Sequence, residues 1–401
     1  MRWRMLALLS LAELLGMSLW FAAAAVAPQL SIRWGLDAAR VGWLTNAVQL
    51  GFVAGTAAAA VLNLADLVPA RGFFSASAAL GALANAALAV TPGFGAALVS
   101  RFFCGFFLAG VYPPAMKMIS TWFKDWRGLA IGTVVGALTV GKATPYLVHA
   151  IRGASVSAVT LVASGGALLA AALVALAYRD GPHEFPRRAF SWRLAGSVFR
   201  HRETRLAIAG YLGHMWELYA MWTWLPAFLA ASAAARAARG LPAPVSAVTD
   251  LLAFGAIAAG GLGCVWGGWA ARSAGYERVV TRSMAASGAC ALGVGLLFGA
   301  SPWALVPVAW VWGFFVVADS AQFSALVTEV APPHAVGTAL TLQTSLGFLL
   351  TMVTIQLVPA IARASSWRWA FPVLAIGPVL GIAAIARLGR ERRVKATNIG
   401  P

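Results

Sequence analysis

Long apolar stretches, interrupted by short polar loops, run the whole length of this 401-residue chain. Crossing about 30 Å of hydrocarbon takes about 20 helical residues at about 1.5 Å each. Twelve stretches reach that length, at 5–27, 38–61, 73–91, 95–119, 128–150, 155–178, 206–231, 247–270, 280–299, 302–325, 336–360 and 367–387. The pattern predicts an all-α integral membrane protein, and an even number of spans puts both termini on one side. Met1-Arg2-Trp3-Arg4 and the first apolar run imitate a secretory signal. The pattern continues into eleven further spans, which makes a signal peptide the poorer expectation.

Composition agrees. The chain is 60% hydrophobic and 11% charged, with a mean hydropathy of +0.78, whereas charged residues make up about a quarter of soluble domains. A net charge of +17 suggests nucleic acid at first sight, but the charges lie in loops between spans, so no nucleic-acid partner is expected. With the termini placed inside, the inner segments hold twenty Lys and Arg, the outer loops seven, and the spans the remaining three. The positive-inside rule then places both termini in the cytoplasm. Arginine outnumbers lysine 26 to 4 amid abundant alanine and glycine, a bias that points to a GC-rich bacterium and hence to its inner membrane. Cys104, Cys264 and Cys290 are isolated within apolar runs and read as packing residues.

The two halves repeat. Glu13-Leu14-Leu15-Gly16-Met17-Ser18-Leu19-Trp20-Phe21 is echoed 204 residues later by Glu217-Leu218-Tyr219-Ala220-Met221-Trp222-Thr223-Trp224-Leu225. Gly105-Phe106-Phe107 is answered by Gly313-Phe314-Phe315, and Gly132-Thr133 by Gly337-Thr338. Six spans separate the copies, so both halves have the same orientation about an axis along the membrane normal, which suits rocking about a central site. The expected organisation is a six-helix bundle over 1–178, a basic cytoplasmic linker over 179–205 and a second bundle with a basic tail over 206–401. The linker, with seven arginines, is expected to lie along the anionic inner leaflet.

In the loop between spans 2 and 3 the chain reads Leu62-Asn63-Leu64-Ala65-Asp66-Leu67-Val68-Pro69-Ala70-Arg71, and between spans 8 and 9 Gly268-Trp269-Ala270-Ala271-Arg272-Ser273-Ala274-Gly275. With Arg101-Phe102-Phe103-Cys104-Gly105 in span 4, these residues resemble the motifs of the major facilitator superfamily along the whole chain. The first copy keeps Asp66 and Arg71 and lacks both glycines; the second keeps Gly268 and Gly275 and has Arg272 in the acid's place. The resemblance implies two six-helix bundles related by a pseudo-twofold axis along the membrane normal, alternating access, and a gating role for these loop residues. Span 5 carries Gly132, Gly136, Gly141 and Pro145 but lacks the Gly-Pro dipeptide of the family's antiporters.

Charges in hydrocarbon are costly, so ionisable residues within spans point to function. Six lie well inside: Glu13, Arg101, Lys142, His214, Glu217 and Asp319. His214 and Glu217 stand at i and i+3 on one helical face and are expected to handle a proton together; a structural pair is the plainer alternative. Arg101 is expected to pair with Glu13, which leaves Lys142 without an acid in its half and waiting for an anion. Trp20, Trp224, Tyr219 and Gln322 are weaker candidates for the cavity wall. No nucleotide-binding lysine loop, zinc-protease His pair or nucleophile elbow occurs, so neither an enzyme nor a cofactor or metal is expected. The expectation is a monomeric secondary transporter moving a small anion with protons. A proton-coupled exporter of a lipophilic or cationic compound is the alternative within transport, and a non-transporting sensor the alternative outside it.

Overall fold

The computed structural model describes residues 1–62, 64–151, 154–183 and 191–398, leaving aside the side chains of 65, 66, 192 and 395–398. The described residues contain helices and no strand. The first half comprises α1 (Arg2–Met17), α2 (Ala22–Ala25), α3 (Ala27–Trp34), α4 (Ala38–Val61), α5 (Leu64–Leu67), α6 (Ala70–Ala87), α7 (Phe94–Leu108), α8 (Tyr112–Ser120), α9 (Arg127–His149) and α10 (Val156–Ala177). After α11 (Trp192–Arg200) come α12 (Arg202–Ala237), α13 (Ser246–Ala274), α14 (Tyr276–Gly293), α15 (Pro302–Ala318), α16 (Ser320–Val330), α17 (Val336–Ala364) and α18 (Ile376–Asn398). Eleven of the resulting segments are long and apolar enough to cross a membrane. The first predicted span is not among them: it is divided into α1, of 16 residues, and the short α2 and α3.

Three predicted spans, 1, 4 and 10, are each divided between successive α-helices. Span 1 unwinds over Ser18–Phe21 between α1 and α2, span 4 over Ala109–Val111, and span 10 at Asp319. Pro113 and Pro114, in the first turn of α8, bring no N–H for a continuous ladder to use. Span 7, the repeat partner of span 1, is instead one helix of 36 residues. A hydropathy pattern registers length and apolarity, not the continuity of the hydrogen-bond ladder, so it cannot distinguish the two.

Glycine sets the close packing, and it does so twice. A Cβ on Gly105 would fall 2.1 Å from the Val48 carbonyl oxygen, and one on its repeat partner Gly313 only 1.7 Å from that of Ala256. The α4–α7 contact of the first half and the α13–α15 contact of the second therefore depend on the same bare backbone at equivalent places, in the manner of small-residue seams between membrane helices.

Both termini lie on one face. Trp3 packs edge-on to Phe123, just ahead of α9, at 5.3 Å. Arg392 binds Glu277 at 2.9 Å and Glu329 at 2.6 Å, at the start of α14 and near the end of α16. On this terminal face the halves meet where Gly268 abuts Gly128 and where the Arg272 guanidinium lies 3.9 Å from the centre of the Trp126 ring. On the far face they meet through His149 Nδ1 and Asp250 Oδ2 at 2.9 Å. Asn46 Nδ2 donates to the Met352 carbonyl, and Gln356 Nε2 to that of Ala39, each at 3.3 Å. The halves are thus closed against each other at both faces.

Candidate functional site

The centre of the molecule is an aromatic layer built from both halves around one ammonium group. Lys142, on α9 and 3% exposed, donates from Nζ to the Tyr219 hydroxyl at 2.5 Å. Its Nζ stands 4.2 Å from the centre of the Trp20 ring, 4.7 Å from that of Tyr219 and 5.4 Å from that of Trp222. Trp20 comes from the break in span 1, and Tyr219 and Trp222 from α12. Phe52 of α4 and Phe348 of α17, 4.6 Å apart, close the layer against Trp20. Aromatic faces attract a cation and shield it from water, so the lysine is held where the halves join, with no ion pair of its own among the described residues.

Glu13 sits on α1, fully buried, and neither carboxyl oxygen has a hydrogen-bond partner. Its helix packs against α9 here, where Gly141 abuts the Leu14 carbonyl, so Glu13 and Lys142 stand on helices in contact. The expected Arg101–Glu13 pair does not form. Arg101 instead donates to Asn85 Oδ1 and to the carbonyls of Leu19 at 2.7 Å and Trp20 at 3.3 Å. The break in span 1 leaves those carbonyls out of a regular ladder, with only a long 3.4 Å bond from the Ala22 N–H to that of Leu19, and a fully buried guanidinium with five donors is well suited to satisfy them. Asn85 continues the network to the Thr160 carbonyl at 3.0 Å and Ser164 Oγ at 2.9 Å on α10. Arg101 therefore holds Trp20 in place through its backbone.

His214 and Glu217 share α12 but not a partner. His214 Nδ1 lies 2.9 Å from Asp319 Oδ1, both side chains 1% exposed, while His214 Nε2 has no partner. Glu217 accepts from Ser287 Oγ at 2.7 Å and from Trp312 Nε1 at 2.6 Å. The i,i+3 spacing puts two residues on one face, but each reached a different neighbouring helix: α14 and α15 for Glu217, and the break in span 10 for His214. Gln322, one turn beyond that break, is buried with Nε2 unpartnered beside Gly267. Trp224 lies away from the lysine. It donates to the Ile355 carbonyl at 2.7 Å and packs on Trp367, so the Trp20–Trp224 match in sequence is not a match in surroundings.

Of the loop residues, Gly268 and Arg272 make the contacts between halves described above. Gly275 takes φ +83°, a left-handed backbone that ends α13 at the edge of the bundle. Arg71 is exposed at the start of α6. The Asp66 side chain lies outside the described residues.

Attention to ionisable residues alone passes over the neutral polar ones. Gln49 on α4 and Gln343 on α17 are fully buried with neither end of the amide partnered, and Asn46 Oδ1, Tyr146 Oη, Trp20 Nε1 and Trp222 Nε1 are likewise unpartnered. Buried polar groups are seldom left without partners, which makes these atoms candidates for contact with water or a solute. An amide inside a 24-residue apolar helix is a visible signal in sequence, and Gln49 and Gln343 could have been found by it.

Two solved structures share this architecture. A mutant of the nucleoside transporter NupG superposes with a TM-score of 0.71 at 15% identity, over 96% of this chain and 99% of that one. A bacterial homologue of the human lysosomal transporter Spinster, inward-facing and occupied, gives 0.71 at 15% identity over 97% of each. No curated protein matches the sequence. The Major Facilitator Superfamily model matches residues 8–355, so this all-helical membrane protein with a twice-used glycine seam belongs to the major facilitator superfamily of transporters.

Proposed function

We propose that this transporter carries a small anionic solute by alternating access, coupled to protons, with its terminal face in the cytoplasm of a bacterium. The observation that carries the reading is Lys142: an ammonium where the halves join, bonded to the hydroxyl of Tyr219 and not to a carboxylate. An anion entering the aromatic layer would find a cation there, while Gln49 and Gln343 offer neutral donors and acceptors for the rest of the solute. The Trp20, Tyr219 and Trp222 faces suit a solute with a flat or apolar body.

Proton coupling follows from the same group. Lys142 can compensate the charge of Glu13 or that of a bound anion, but not both. Binding of the anion therefore favours protonation of Glu13, and solute and proton travel together. Glu217, with two donors and no cation, and the His214–Asp319 pair lie within the second half and are read as secondary proton sites. The chain is taken to act as a monomer, in two bundles of residues 1–178 and 206–401 joined by the 179–205 linker.

The test is a calorimetric screen of the purified protein against small carboxylates and inorganic anions at two pH values, followed by Lys142→Met. Losing a charged, hydrogen-bonded partner should cost about 2–5 kcal/mol, a loss of tens to thousands of fold in affinity. Unchanged affinity with a lowered melting temperature would make Lys142 structural. Exchange of organic cations against protons in vesicles would then favour the exporter, while any solute flux rules out a sensor.

A further inference from the structure

The rings around Lys142 pack on one another across the join between the halves. Trp20, Phe21 and Phe52 come from the first half and Tyr219, Trp222 and Phe348 from the second, all 5% exposed or less. Among the described residues, ring meets ring across that join in five pairs. Trp20 meets Tyr219 at 5.6 Å and Phe348 at 5.7 Å, Phe21 meets Tyr219 at 6.4 Å and Trp222 at 6.2 Å, and Phe52 meets Phe348 at 4.6 Å. A solute that enters between the halves at this level must part those pairs. We propose that the solute is a planar aromatic monocarboxylate, an arene bearing one carboxylate, which replaces the ring contacts it breaks and sets its charge against Lys142. The inference rests on the anion reading above and names the class of anion.

Three observations converge on that chemistry. The first is the cost of entry. A saturated solute of the same size buries as much apolar surface but returns none of the ring-to-ring geometry, and each such pair is worth about 2- to 13-fold beyond its area. The second is the count of charges. Lys142 brings one ammonium, Arg101 is already committed to Asn85 Oδ1 and to the Leu19 and Trp20 carbonyls, and Glu13 stands on a helix in contact with that of the lysine. One carboxylate is therefore matched, and a second would be buried without a cation. The third is the unspent donors at the ring edges. Trp20 Nε1 and Trp222 Nε1 are buried without an acceptor, and the Tyr219 hydroxyl accepts from Lys142 and so keeps its own hydrogen to donate. Ring faces with donors at their edges suit a flat solute whose acceptors lie in its own plane. Conjugation places the carboxylate oxygens of an arene acid there.

The test is calorimetric titration of the purified protein at neutral pH with benzoate and 2-naphthoate. Each is compared with its saturated counterpart, cyclohexanecarboxylate or decahydro-2-naphthoate, which keeps the carboxylate and the size but loses the ring faces. Contact with two protein rings predicts that the arene is preferred by about 5-fold or more. Phe348→Leu keeps apolar bulk while removing the ring that meets both Trp20 and Phe52, and should cut the preference by about 2- to 13-fold; Phe52→Leu should act in the same direction. Lys142→Met should weaken arene and saturated acid alike, leaving their ratio in place. Benzylammonium, a similar ring with the opposite charge, should not bind. Saturated acids bound as tightly as the arenes, or a preference unmoved by both leucine variants, overturn the aromatic class. If neither arene binds while another anion binds in a manner that needs Lys142, the aromatic class fails and the anion reading stands. If benzylammonium binds and benzoate does not, both fail together.

Discussion

Placing a methyl group on Gly136 should part the halves on the terminal face. Along this seam α9 presents Gly128, Gly132 and Gly136 to the backbone of α13, and an ideal Cβ on Gly136 would stand 2.6 Å from the Gly261 carbonyl oxygen and 3.3 Å from its carbon. An ordinary carbon–oxygen contact needs about 3.3 Å, so the helices must separate locally by about 0.7 Å or the seam must bend, and overpacking of this kind costs about 1–3 kcal/mol. If the cost falls only on the state in which the seam is closed, Gly136→Ala shifts the balance towards its open partner by about 5- to 150-fold. The native Cys264 is a built-in reporter. It is 1% exposed, its carbonyl faces Gly132, and its sulfur lies 3.9 Å from Thr139 Oγ1 on α9. With Cys104 and Cys290 replaced, N-ethylmaleimide should label Cys264 faster in Gly136→Ala by a factor in that range. A variant with a lower melting temperature and an unchanged labelling rate would refute the reasoning: the seam would then be scaffold, closed in every state.

Glu13→Gln removes the acid that competes for Lys142, so solute binding should become independent of pH and proton-driven accumulation should fail while counterflow survives; vesicle uptake with and without a proton gradient checks this. Glu217→Gln can accept only one of its two present hydrogen bonds well and turns an amide donor towards the other. It should lower stability by about 1–3 kcal/mol, read as a drop in melting temperature, with proton coupling retained if Glu13 carries it.

Much of the fold was legible because it follows from solvent. A helix in lipid must satisfy its own backbone and show apolar side chains, and both requirements leave a length and a composition that can be counted. The repeat was legible for a similar reason: Gly105 and Gly313 are kept bare by equivalent close approaches, and bare backbone is visible in sequence. The partners of the buried charges were not. Arg101 was assigned to Glu13 on grounds of charge, but the break in span 1 offered it two carbonyls that no sequence rule foretells. His214 and Glu217 were read as a pair because they share a face of α12, yet a helical face in a bundle touches several neighbours, and Trp312, Ser287 and Asp319 divided them. Loss of the expected Arg101–Glu13 pair leaves both carboxyl oxygens of Glu13 without a hydrogen-bond partner, and it is this that the proposed coupling with Lys142 rests on.

The unwound turn in span 1 has a mechanical consequence. Span 7 is one helix of 36 residues, about 54 Å at about 1.5 Å per residue, with no unwound turn although Pro226 removes one backbone donor from its ladder. Span 1 has a joint at Ser18–Phe21, held by the guanidinium of Arg101. The piece beyond the joint, α2 and α3, can swing relative to α1 while the Trp20 backbone stays anchored. The two halves repeat in sequence and differ in this helix: one presents an unbroken strut, the other a jointed arm whose joint holds an aromatic ring over the lysine.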